Sequence, residues 1–201
     1  MEYIGDVFYD YGGGLYANIT NRCPCRCSFC IRNMTDRLGD ADSLWLRREP
    51  TLEEIKLLLN ERELDEYEEL IFCGYGEPTE RLDILLETAK YAKEKCPDIK
   101  IRINTNGLSD LINGRDTTGD LFGIVDAVSV SLNEMNEVEY VKLCNPKFGK
   151  EAYKAMLDYT KRVKHFVSDV TMSVVGFSIP ASHIEPCRKI AEDIGVKFRI
   201  R

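Results

Sequence analysis

"KIRINTNG", residues 100–107, decides between two folds. Ile101 and Ile103 alternate with Arg102 and Asn104, and an Asn-Gly pair closes the run. Side chains along a strand point to its two faces in turn, so this segment reads as a strand with one apolar and one polar face, ended by a turn. "DAVSVSLN" (126–133) repeats the pattern, with Val128, Val130 and Leu132 against Ser129, Ser131 and Asn133. "VKFRIR" (196–201) repeats it again, with Val196, Phe198 and Ile200 against Lys197, Arg199 and Arg201. A parallel sheet covered by helices on both faces has nearly continuous apolar strands. Edge strands can keep a polar face in water, but a sheet has two edges and three strands alternate here. A polar concave face lining a partial barrel accommodates all three.

Outward from these strands the chain repeats one unit, a strand followed by a helix. "GLYANIT" (14–20) is β-prone, and "DVFYDY" before its glycines suggests a hairpin leading in. Thr51 caps "LEEIKLLLNEREL", with Glu54 completing a capping box. "EELIFCG" (68–74) is a strand and "ERLDILLETAKYAKEK" (80–95) an amphipathic helix. A short helix is expected near 118–125, then helices in "EVEYVKLC" and "EAYKAMLDYTKRVKHF", a strand in "SDVTMSVVGFS" and a helix in "IEPCRKIAEDI". Such alternation gives parallel strands with right-handed crossovers. Six units are too few for a closed eight-fold barrel. The expected fold is α/β, a partial (β/α)6 TIM-like barrel of parallel strands forming a single domain over residues 1–201.

Composition excludes several classes. With 44% hydrophobic and 30% charged residues the chain reads as soluble and globular. Residues 1–14 lack the basic and apolar regions of a signal peptide, and no apolar run approaches the ~18 residues of a membrane helix. A cytoplasmic location is expected. A net charge of -7 argues against extended duplex nucleic acid, which needs clustered cations.

The loop at 21–32, "NRCPCRCSFCIR", carries four of the eight cysteines. A disulfide framework belongs to short secreted chains, which this is not. Structural zinc sites take two separated cysteine pairs, and the remaining cysteines here (Cys73, Cys96, Cys144 and Cys187) are scattered singly. What stands out is Cys23-x3-Cys27-x2-Cys30, with Phe29 before the last cysteine. Three thiolates can hold three irons of a [4Fe–4S] cube and leave the fourth iron open, as catalytic metal centres do. Cys25 does not fit this spacing and reads as a bystander.

This spacing, directly after the first barrel strand, resembles the radical S-adenosylmethionine (SAM) superfamily. "FCGYGEPTE" supports the resemblance: where the superfamily has Gly-Gly-Glu-Pro at the SAM amino group, this chain has Gly74-Tyr75-Gly76-Glu77-Pro78. "INTNG" and "SVSLNEMN" lie where relatives line the SAM carboxylate and ribose. The resemblance covers the chain and implies a minimal core without a second-cluster domain. It implies a [4Fe–4S] cluster on Cys23, Cys27 and Cys30, with SAM held by Phe29, Gly76, Glu77, Asn104, Thr105, Ser131 and Asn133. The implied reaction is reductive cleavage of SAM to a 5′-deoxyadenosyl radical that abstracts hydrogen from a substrate, with an electron donor such as flavodoxin or ferredoxin. "YVKLCNPKFGKEAYKAMLDY" and "CRKIAEDIGVKFRIR" look most like the small TatD-associated radical SAM proteins. Glycyl-radical-enzyme activases are the nearest alternative, although they tend to carry carboxylates where Asn104 and Asn133 stand. An iron–sulfur electron-transfer or metal-binding module is the alternative of a different class.

Each residue has a plainer reading beside this one. Gly76 suits close backbone approach and Glu77 a hydrogen bond from an ammonium, or the two merely form a strand-to-helix turn. Thr105 could be a turn residue, and Ser131 and Asn133 could satisfy each other. Arg102, Lys197, Arg199 and Arg201 are expected on inward phases. There they either pair with internal carboxylates or bind a substrate, with Arg102, Arg199 and Arg201 the candidate contacts for a small anionic molecule or a peptide segment. Cys144, past the fourth barrel strand, is a candidate hydrogen-atom relay or a buried thiol. His165 and His183 receive no role.

Overall fold

The computed structural model describes residues 3–35 and 37–201. Met1 and Glu2, part of the N-terminal stretch read for targeting, lie outside them. The chain divides into two compact units: one of the segment up to Cys23, Ile31–Ile103 and Ile124–Asp126, the other of Pro24–Cys30, Asn104–Gly123 and Ala127–Arg201.

In the first unit, strands β1 (Phe8–Tyr11) and β2 (Gly14–Ala17) form an antiparallel hairpin. Gly12 and Gly13 both have positive φ, 57° and 84°, the conformation that two-residue hairpin turns require. β2 pairs in parallel with β3 (Glu69–Phe72), and β3 with β4 (Lys100–Thr105). Helix α1 (Leu52–Leu59) begins with the expected Thr51/Glu54 capping box. It stops earlier than the sequence suggested, because Asn60 closes it and Leu64 is buried by a separate 3-10 turn, Leu64–Glu66. Helix α2 (Leu82–Lys95) follows a 3-10 turn at Pro78–Arg81. Leu15, Leu70, Phe72, Ile101 and Ile103 are buried, as are Ile55, Leu59, Leu85 and Ala89 of the two helices. Each large apolar side chain so buried contributes about 1.5–3 kcal/mol.

In the second unit, β5 (Ala127–Ser131), β6 (Asp169–Val174) and β7 (Lys197–Ile200) pair in parallel in chain order. The helices are α3 (Ser109–Asn113), α4 (Glu137–Cys144), α5 (Glu151–Val163) and α6 (Ala181–Ile194). α3 was not foreseen, and the helix expected near 118–125 is a 3-10 turn at Thr118–Leu121. Val128, Val130, Leu132, Met172 and Val174 are buried, with Tyr140, Met156, Tyr159 and Cys187 from the helices.

All six expected parallel strands are present, preceded by β1. The final one corrects an expectation. The cations of β7 are not desolvated: Lys197 has a side-chain exposure of 69% and pairs with Asp169 at 3.0 Å, while Arg199 and Arg201 are exposed. Ile200, expected on the apolar face, is 46% exposed. β7 has β6 on one side and no strand on the other among the described residues, so its side chains reach water.

Candidate functional site

In the first unit, the loop after β3 presses against the residues that lead into the cysteines. A Cβ on Gly76 would lie 2.2 Å from the Thr20 carbonyl oxygen and 2.7 Å from that of Arg22. Glu77 N–H donates to the same Arg22 oxygen at 2.8 Å. A Cβ on Gly74 would lie 2.2 Å from Asn18 Oδ1, whose amide nitrogen is held by the Leu44 carbonyl at 2.8 Å. Both glycines therefore serve close contact with this chain's own backbone and side chains. Tyr75, where the motif usually has glycine, is buried, meets Trp45 edge-on and donates its hydroxyl to the Thr35 carbonyl.

Glu77 is 4% exposed. Its Oε1 accepts from Thr79 N at 3.2 Å and Thr79 Oγ1 at 2.8 Å, capping the turn that follows. Arg22, beside the half-buried Cys23, is tied to Glu49 at 2.7 Å and Glu80 at 3.5 Å. Burial opposes ionisation of Glu49, but hydrogen bonds from Arg22 and Thr20 and the charge of Arg81 hold its carboxyl below the usual range. Arg102 pairs with Glu69 at 3.0 Å, the plainer of its two readings.

In the second unit, residues 24–30 are docked on the C-terminal end of α4. Arg26 N–H donates to the Cys144 carbonyl at 2.9 Å and Ser28 N–H to the Leu143 carbonyl at 3.1 Å. Lys147 N–H returns a bond to the Pro24 carbonyl at 2.8 Å. The last carbonyls of a helix have no intrahelical donors, so the loop satisfies them and is fixed by them. Cys25 points inward at 3% exposure, with Asn106 Nδ2 3.8 Å from its sulfur and the Tyr140 hydroxyl also bonded to it. Cys27 and Cys30 stay half-buried. Cys144 is fully buried and receives Asn133 Nδ2 on its sulfur at 3.4 Å. Its thiol is pushed far up by a hydrogen bond to Cys27 first and by burial second.

The remaining polar candidates differ in how they are satisfied. Thr105 Oγ1 accepts from Gly107 N at 3.0 Å, as a turn residue does. Ser131 accepts from Arg201 at 3.1 Å, so it does not pair with Asn133. Asn104 Oδ1, Asn133 Oδ1 and Ser173 Oγ are buried with no hydrogen-bond partner among the described residues. An unpaired buried acceptor is costly, and such atoms are what a polar ligand would satisfy. Phe29 is half-buried and Arg199 is exposed, in register with Ser173. Sequence reasoning missed one pair: Glu134, 3% exposed, lies 3.0 Å from His183 Nδ1. Two residues 49 positions apart, with no shared motif, give no sequence signal.

Among the described residues no three His, Cys, Asp or Glu side chains converge on one metal ion. A cube asks for something else, since each thiolate binds its own iron. Three half-buried thiols with a fourth turned into the core fit that donor set.

Residues 17–185 match the Radical SAM superfamily, and the chain belongs to it. Members of that superfamily generally use a [4Fe–4S] cluster and SAM. A search of curated proteins finds no match. Among solved structures, a radical SAM methyltransferase from Sphaerobacter thermophilus superposes with a TM-score of 0.65 at 17% identity, covering 96% of this chain and 57% of that one. Streptococcus suis SuiB bound to precursor peptide SuiA gives 0.65 at 16% identity, covering 90% and 37%. TYW1 with a lysine-pyruvate adduct bound gives 0.59 at 14%, covering 95% and 67%. These likenesses show the fold, an α/β partial barrel, and this chain spans a little over half the length of the first.

Proposed function

We propose that the chain is the core domain of a cytoplasmic radical SAM enzyme, with the cluster on Cys23, Cys27 and Cys30 and an anionic substrate, a small molecule or a peptide segment. The observation that carries the ligand assignment is the division among the loop cysteines, with Cys25 buried on Tyr140 and Asn106 while the other three are half-buried. When bound, the cluster and SAM supply reductive C–S cleavage and a carbon radical. Glu77, held by Thr79, offers a fixed buried carboxylate to the SAM ammonium, and the unpaired oxygens of Asn104 and Asn133 offer acceptors to its polar groups. Thr105, Ser131 and Phe29 complete the proposed SAM contacts, while Gly76, expected among them, packs on the Thr20 and Arg22 carbonyls instead. Arg199, exposed on β7, is the main candidate for an anion, and Arg201, bonded to Ser131, and Arg102, paired with Glu69, are lesser contacts. The peptide reading draws on SuiB, a fold relative whose structure holds its precursor peptide. The kinship to small TatD-associated proteins rests on sequence stretches alone.

The test is anaerobic reconstitution with iron and sulfide. About four irons per chain, and release of 5′-deoxyadenosine and methionine from SAM under a strong reductant such as reduced flavodoxin, are expected. Stoichiometric zinc in their place, or intact SAM over a full cluster, refutes the reading.

A further inference from the structure

We propose that Glu134 and His183 are positioning residues for Asn133: the bond between them holds the strained turn that presents the Asn133 side chain to SAM. The inference rests on Asn133 being a SAM contact, as proposed above. β5 runs into a three-residue turn in which Glu134 N–H donates to the Leu132 carbonyl at 2.7 Å, with Asn133 between them at φ 61°. So tight a turn at positive φ is the rare, strained form, and such a conformation persists only where its surroundings enforce it. One grip comes from β6, where the Ser173 carbonyl accepts from Leu132 N–H at 2.9 Å and Asn133 N–H at 3.2 Å. A second comes from Cys144 Sγ, which accepts from Asn133 Nδ2 at 3.4 Å. Asn133 Oδ1 is left buried without a partner among the described residues. Beyond Asn133 the anchor is the Glu134 side chain. Its carboxylate, 3% exposed, has only lone pairs to offer, so His183 Nδ1 carries the hydrogen between them, 3.0 Å from Oε2 and 3.2 Å from Oε1. Oε2 also accepts from Met135 N–H at 3.0 Å. His183 lies in the first turn of α6, whose Cys187 and Ala191 are buried, so the bond ties the turn to a packed helix. Among the described residues no lysine or arginine pairs with Glu134, so without His183 this anchor is lost.

The experiment is a double-mutant cycle on SAM affinity, read by equilibrium binding to the full, anaerobically reconstituted chain. Iron content and wild-type affinity are measured first. Asn133→Gly then tests Asn133 itself, since it removes the side chain and relaxes the turn. It is expected to weaken SAM binding about tenfold, the worth of one hydrogen bond. Wild-type affinity in Asn133→Gly would remove Asn133 from the SAM contacts, and this proposal with it. His183→Phe keeps a ring without the donor and is expected to cost about as much as Asn133→Gly. His183→Asn keeps an N–H near the place of Nδ1 and is expected to stay within about twofold of wild type. With Asn133→Gly already present, His183→Phe is expected to add less than about twofold, because both act through one contact. Where His183→Phe alone loses the fold, Glu134→Leu combined with His183→Phe, which removes the buried charge along with the bond, takes its place in the cycle. Losses that multiply independently, or wild-type affinity in His183→Phe, overturn the proposal.

Discussion

Replacing Gly76 by Ala separates two accounts of the Gly-Tyr-Gly-Glu loop. If the glycine exists to let backbone approach SAM, the substitution harms SAM binding and leaves the ligand-free protein sound. The structure gives it a different task, since the new Cβ would meet the Thr20 and Arg22 carbonyl oxygens at 2.2 and 2.7 Å. Both are backbone atoms, so relief requires moving the chain that enters the cysteine loop. Overpacking of this kind costs about 1–3 kcal/mol. Separating Glu77 N from the Arg22 oxygen adds about 1 kcal/mol. The sum is about 2–4 kcal/mol in the apo protein. With a guanidinium m-value of about 5 kcal/mol/M, the unfolding midpoint falls by about 0.4–0.8 M. Anaerobic, chelator-treated protein followed by circular dichroism measures this. Gly119→Ala is the control, because its nearest neighbours are Phe166 ring carbons at 3.9 Å. An apo Gly76→Ala protein as stable as wild type would refute the packing account.

Four further outcomes are expected. Cys25→Ala keeps about four irons per chain but loses about 1–3 kcal/mol of apo stability, because the Tyr140 hydroxyl is left buried without its sulfur partner; iron assay and guanidinium unfolding check both halves. Glu77→Gln preserves an acceptor for Thr79 while removing the charge, so SAM affinity falls by about 1.5–3 kcal/mol in equilibrium binding with little change in apo stability. Arg199→Ala impairs substrate turnover far more than uncoupled SAM cleavage and leaves stability within about 0.5 kcal/mol, since the side chain is exposed; equal losses in both reactions count against an anionic substrate. Glu54, held down to about 2 by Arg48 and then Thr51, stabilises the α1 cap above its unfolded value of about 4.3. That contribution fades as pH falls toward about 2, so Glu54→Gln, less stable than wild type at pH 5, should converge with it in melting temperature between pH 5 and pH 2.

The succession of strands and the α1 cap were legible because each rests on local pattern: period-two alternation and a capping box. The environment of β7 was not. Alternation shows that a strand has two faces, but not whether either is covered, and Lys197, Arg199 and Ile200 all reach water. Gly76 was read for ligand approach, whereas its neighbours are Thr20 and Arg22, some fifty residues away in the chain. The partners of Cys25 and Cys144 were equally hidden, since a thiol carries no sign in the sequence of whether it meets Tyr140, Asn133 or another thiol.

The docking of residues 24–30 on α4 also sets an order of events. The carbonyls of Leu143 and Cys144 and the amide of Lys147 lie more than a hundred residues downstream of the loop they hold. Domains fold as synthesis proceeds, N-terminal parts first, so a nascent chain carries its four closely spaced thiols before the helix end that will fix them has been made. Contacts of such long range also form slowly, because loop closure precedes any gain from them. During that interval the thiols are open to disulfide exchange and oxidation.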